Sequence, residues 1–224
     1  MSEDFRPSGF QFLTPVVKNL LIINIIFFAL DYMCTGVFHI DLSEYLGLHY
    51  PLAKHFFPTQ YITYMFMHAN FSHIFFNMFA LWMFGNILER TWGSKRFLFF
   101  YLFCGIGAGL IQNIVNWIEL SNYPVFYYYS ALENINTIGA SGAIYGLLLA
   151  FGMTFPNNYI YLYFLLPIKA KWFVIIYGLL ELFSGISGSA SNIAHFAHLG
   201  GMIFGIILIL YWKYKDKNKF NYFS

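Results

Sequence analysis

Ser141 stands in Gly139-Ala140-Ser141-Gly142-Ala143-Ile144-Tyr145-Gly146, and His198 in Ala194-His195-Phe196-Ala197-His198-Leu199-Gly200-Gly201-Met202-Ile203-Phe204-Gly205. A serine hydroxyl within reach of an imidazole is the minimum for a nucleophile with its base. Both lie in apolar stretches, where a polar side chain is costly and either finds a partner or serves a function. A plainer reading exists, because small residues such as Ser and Gly are what closely packed membrane helices require. The elbow of soluble hydrolases, G-x-S-x-G after a strand, does not fit: Ala143 fills its last position, and no strand is expected ahead of it.

Depth favours the chemical reading. A helix from Ser141 to Phe155, just ahead of Pro156, is roughly 22 Å long at about 1.5 Å per residue. That is less than the ~30 Å of hydrocarbon in a bilayer. With Pro156 at the cytoplasmic interface, Ser141 lies several ångströms below the outer surface, where a hydroxyl needs a cavity. The unpaired first-turn N–H groups there can stabilise an oxyanion. On the last span, Ala194, His198, Gly201 and Gly205 share a face, and Ala197, Gly201 and Gly205 form an adjoining small-residue ridge. Gly142 and Gly146 give the serine helix a matching ridge, so the two backbones can approach.

Other polar residues surround this pair. His195 is an alternative base. Its spacing to His198 also suits a metal pair, but no H-E-x-x-H or carboxylate cluster completes a site, so neither metal nor cofactor is expected. His73 and Asn77, four apart, share a helix face and are either an interhelical clamp or side-chain donors to an oxyanion. Tyr145 faces the same way as Ser141 and can stack on or hydrogen-bond the histidine. Glu181 reads as structural pairing or water contact. Glu89-Arg90 with Trp92-Gly93 reads as a helix cap and interfacial anchor.

The elements that must position these residues are membrane helices. Of 224 residues 59% are hydrophobic and 10% charged, with a mean hydropathy of +0.59, too few polar residues to solvate a globule of this size. Apolar runs predict spans near 17–37, 71–88, 97–117, 138–155, 172–183 and 193–212. With the N-terminus inside, Arg6, Lys18, Arg90, Lys95, Arg96, Lys169, Lys171, Lys213, Lys215, Lys217 and Lys219 fall on the inner face and Lys54 alone outside. This asymmetry supports six spans with both termini cytoplasmic. The chain reads as one membrane domain over 1–224, with a short cytoplasmic segment 1–16 and a basic tail 213–224. Residues 1–9 lack a cleavage pattern, so the first span is expected to be retained. The loop 39–70, rich in Tyr, Phe and His and broken by Pro51 and Pro58, suits short elements in the outer interface. Cys34 and Cys104 read as buried hydrophobes. The net charge of +2 is too small to suggest nucleic acid.

The motifs Gly139-Ala140-Ser141-Gly142, Ala197-His198-Leu199-Gly200-Gly201 and His73-Ile74-Phe75-Phe76-Asn77, on the fourth, sixth and second spans, resemble those of the rhomboid family of intramembrane proteases. The resemblance implies an all-α, six-helix bundle and a Ser141–His198 dyad with no third acid. It implies an oxyanion site of His73, Asn77 and the Ser141 amide, with Gly139, Gly142, Tyr145, Gly146 and Gly201 in supporting places. It further implies a site opening outward, an embedded first outer loop, a mobile fifth span that gates entry, and other proteins' transmembrane segments as substrates within the bilayer. The loop lacks the Trp-Arg pair of many relatives. A noncatalytic helix-binding relative would be expected to lack Ser or His, and a small transporter to show inverted repeats or charged midplane residues. With no targeting extension or seventh span, a bacterial plasma membrane is expected; oligomeric state is not legible.

Overall fold

The computed structural model describes residues 12–122, 124–162, 165–187 and 194–220. Pro15, whose fixed φ suits a first helical turn, opens α1 (Pro15–Met33), and a π-helical turn over Cys34–Phe38 closes it. The outer loop folds into α2 (Ser43–Leu46), β1 (Leu48–His49) and α3 (Gln60–Thr63), followed by a 3-10 turn at Tyr64–Phe66. Asn70, with extended backbone, caps α4 (Phe71–Ala80) by accepting from the His73 amide. A π-helical stretch, Leu81–Gly85, carries α4 into α5 (Asn86–Trp92), and α6 (Ser94–Ser121) returns. Then come α7 (Val125–Glu133), β2 (Asn136–Thr137) and α8 (Ser141–Thr154). Finally β3 (Tyr159–Leu162) and β4 (Leu166–Lys169) lead to α9 (Ala170–Ile186) and α10 (His195–Phe220).

Among the described residues, four helices are long and apolar enough to cross a membrane: Pro15–Phe38, Phe71–Trp92, Ser94–Ser121 and His195–Asp216. Ser141–Thr154 is a shorter apolar helix. The fold is mostly helical rather than all-α, because two small antiparallel pairs join the helices. Tyr159 pairs with Lys169 and Ile160 with Ile168 in a hairpin between α8 and α9. Its β-branched and aromatic residues, beyond the break at Pro156, favour strand over helix. Leu48 pairs with Thr137 and His49 with Asn136, tying the outer loop to the segment ahead of Ser141. The basic tail is helical as far as Phe220, and Arg96 on α6 lies 3.2 Å from its Asp216.

The core sits where α6, α8 and α10 pack on one another, with Phe97, Phe100, Tyr101, Cys104, Ala143 and Leu147 fully buried. Large side chains point outward from the other helices: Ile25 is 56%, Phe76 66% and Phe183 71% exposed. Such faces would be untenable in water and suit contact with acyl chains. Glu89 caps α1 from α5. Its carboxylate accepts from the Val16 and Val17 amides at 3.0 and 2.9 Å, from the Thr14 hydroxyl at 2.5 Å and from the Ser94 hydroxyl at 2.6 Å. A buried anion on a helix N-terminus meets unpaired donors and the positive end of the dipole. The sequence reading places a cap at this turn; the cap that the Glu89 side chain makes is on the start of α1, not on its own helix.

Candidate active site

The segment that delivers Ser141 is braced from the outer loop. Besides the β1–β2 pairing, the Gly139 amide donates to the Tyr64 carbonyl at 2.9 Å, and the Tyr64 hydroxyl donates to the Gly105 carbonyl on α6 at 2.6 Å. Gln60 holds the loop together: its amide donates to the Tyr45 and His55 carbonyls, and its oxygen accepts from the His49 amide. Asn136 donates to the Ser43 carbonyl at 2.9 Å. Gly139 has φ +124°, which favours glycine, and a Cβ there would stand 2.8 Å from His73 Nε2 and 3.6 Å from Ser141 Oγ. No side chain caps the N-terminus of α8, so its first amides face the space beside Ser141 unserved by any cap.

α10 crosses α8 on the small-residue ridges read from the sequence. Gly201 lies over Gly142, and Gly205 over Gly146. At this crossing His198 Nε2 lies 2.8 Å from Ser141 Oγ. The Tyr145 ring lies flat on the imidazole, centroids 4.2 Å apart and planes 6° from parallel, which limits its rotation. His195 is not at the serine: its Nδ1 lies 2.6 Å from Glu181 Oε2 and its ring stands perpendicular to that of His198.

Glu181, on α9, is where the structure departs from the sequence reading. The Tyr145 hydroxyl donates to Oε1, and His198 Nδ1 lies 3.0 Å from Oε2. The dyad implied by the resemblance has no third acid; here a carboxylate stands behind His198. It also supplies the carboxylate missing beside the His195–His198 pair. Glu181, His195 and His198 offer ligand atoms within 4.8 Å of one another and form a set that could hold a divalent ion. The signal was a lone acid in the apolar run 172–183, which the cost of charge in hydrocarbon makes conspicuous.

His73 lies across Gly139 from Ser141. Its Nδ1 accepts from the Ala69 amide at 3.4 Å, which leaves Nε2 to carry the proton. Asn77 is one turn along α4 and donates to the His73 carbonyl at 2.8 Å, holding that turn of the helix, while its oxygen has no partner among the described residues. His68, 2% exposed, meets the His73 ring edge-on at 5.0 Å, and neither of its ring nitrogens has a hydrogen-bond partner among the described residues. Burial pushes His68 down to about 4.

Residues 57–215 match the model of the Rhomboid domain. The chain is 37% identical to "Rhomboid protease GluP" of Bacillus subtilis over 62% of this chain and 23% of that one. It is 30% identical to "Rhomboid protease AarA" of Providencia stuartii, over 64% and 52% respectively. It is also 30% identical to "Rhomboid-like protein 11, chloroplastic" of Arabidopsis thaliana, over 76% and 61%. The chain belongs to the rhomboid family and is an integral, multi-pass membrane protein. It spans from about a quarter to about three fifths of the length of these relatives. With bacterial and chloroplastic members alike among them, family membership does not fix which membrane holds it.

Proposed function

We propose that this chain is an intramembrane serine endopeptidase that cleaves transmembrane segments of other proteins near their outer ends. The observation that carries the reading is the 2.8 Å approach of His198 Nε2 to Ser141 Oγ at the outer end of α8. His198 takes the serine proton as Oγ attacks the peptide carbonyl, then gives it to the departing amine; water, activated the same way, releases the acyl group. The oxyanion is received by His73 Nε2–H, the Ser141 amide and, with a small turn of its side chain, Asn77. Gly139, Gly142, Tyr145 and Gly201 keep these groups in place. A spanning helix has its carbonyls bonded internally, so the substrate carries small or helix-breaking residues that let it unwind near the site. No cofactor takes part.

The same reading makes residues 1–224 one membrane domain of six spans, α8 and α9 being the two shorter ones, with both termini cytoplasmic. Its support is the charge asymmetry of the sequence. The bacterial relatives make a bacterial plasma membrane the setting we favour. Cleavage of a model spanning substrate by the protein in vesicles tests the function. Ser141→Ala abolishes cleavage while leaving folding intact, and fluorophosphonate labelling of Ser141 is lost in His198→Ala; cleavage that survives Ser141→Ala sinks the nucleophile.

A further inference from the structure

The arrangement behind His198 calls for more than a dyad. Its Nδ1 is buried and makes no aligned hydrogen bond, yet Glu181 Oε2 lies 3.0 Å away. The contact is at ion-pair distance, with the oxygen off the N–H direction. Glu181 is itself inward-facing, its side chain 11% exposed, and three groups converge on it: the Tyr145 hydroxyl, His195 Nδ1 and His198 Nδ1. Two of these three belong to the site, since Tyr145 is the ring on which the base lies.

We propose that Glu181 is a positioning residue of the catalytic unit, holding His198 with its Nδ1 protonated so that Nε2 presents a lone pair to Ser141. This rests on the reading of Ser141 and His198 as nucleophile and base. When Nε2 takes the serine proton, the imidazole becomes a cation with both nitrogens protonated, and the carboxylate faces the developing charge through Nδ1–H. Glu181 stays ionised throughout; the proton passes from Oγ to Nε2 and then to the leaving amine. The rival is a clamp in which Glu181 only fastens α9 to α10 through His195.

The split of kcat from KM, with its partial rescue by a shorter carboxylate, separates the two. The groups facing His198 are Ser141 and Tyr145 on α8, Glu181 on α9, His195 on its own helix and, within electrostatic range, His73 on α4. On α6, which is uncharged from Phe97 to Ile118, Cys104 packs against Gly146. Among the described residues Glu181 is thus the acid beside His198. A carboxylate there stabilises the imidazolium that forms as the serine proton is taken up, so removing its charge lowers kcat rather than raising KM.

The experiment measures kcat and KM for the full chain in vesicles, with Glu181→Gln and Glu181→Asp and thermal unfolding in parallel. Glu181→Gln is expected to lower kcat about 10- to 100-fold with KM within about twofold. Glu181→Asp, which keeps the charge but withdraws it, restores part of that kcat and, with KM again held, decides the matter if Glu181→Gln does not fold. A kcat of the folded fraction that stays at the wild-type value, or a loss confined to yield, unfolding temperature or KM, overturns the proposal in favour of the clamp. A wild-type protein without activity, or activity surviving Ser141→Ala, overturns the parent reading instead.

Discussion

A Cβ built on Gly201 would stand 1.8 Å from the carbonyl oxygen of Gly142, so α10 rests on the bare backbone of α8. The backbones cannot accept a methyl there without moving apart, and they carry His198 and Ser141 one turn away or less. Overpacking a close crossing costs about 1–3 kcal/mol. Gly201→Ala is therefore expected to lower the unfolding temperature in detergent and cut cleavage by about 100-fold, since an added ångström at 2.8 Å breaks the Ser141–His198 contact. Gly36→Ala, where a Cβ meets nothing within 4 Å, is the matched control and leaves both unchanged.

His68 makes stability depend on pH. It is held at about 4 in the folded protein against 6.5 for the free side chain, chiefly by burial, with His73 adding to the effect. Below 6.5 the unfolded chain takes up a proton that the folded one refuses, so this contribution is fully present above 6.5 and is lost as pH falls toward 4. Its limit is about 3 kcal/mol. Unfolding midpoints measured at pH 7.5 and 5 should fall between the two, and His68→Phe, which keeps a ring against His73, should remove most of the fall. An identical fall in the variant refutes the assignment.

Glu89 is expected to matter for folding alone. It is 2% exposed and accepts from Thr14, Val16, Val17 and Ser94. Glu89→Ala leaves these donors unserved at the start of α1 and costs about 3 kcal/mol, whereas Glu89→Gln, which keeps an acceptor, costs about half of that. Unfolding in detergent reads the order of the three proteins, while kcat of the folded fraction stays at the wild-type value.

Much of the site was legible because its motifs are local. Ser141, His198, His73 and the ridges of Gly142, Gly146, Gly201 and Gly205 each carry their meaning within one helix, where spacing fixes the face. Long apolar runs gave α1, α4 to α6 and α10 for the same reason. Glu181 was not legible, because which way a lone acid on α9 points depends on how that helix is rotated against α8 and α10. The expectation for Glu181 was structural pairing or water contact, and nothing in the run 172–183 names Tyr145, His195 and His198 as its partners. Gln60 and Asn136 escaped notice because their bonds close loops that only the folded chain brings together. The hairpin of β3 and β4 escaped because it is a short apolar run, which periodicity alone does not assign.

The pairing of Leu48 with Thr137 gives the outer loop a mechanical office. Thr137 and Gly139 sit within a few residues of Ser141, and both are fastened to chain that lies far earlier in the sequence. A pull or a bulky insertion in that loop would reach the serine as a displacement, without any change to the groups around it. Ser141 is thus bolted to its own lintel, whereas α9 buries Ala170, Phe173 and Val174 near its start and meets α8 and α10 farther on through Glu181.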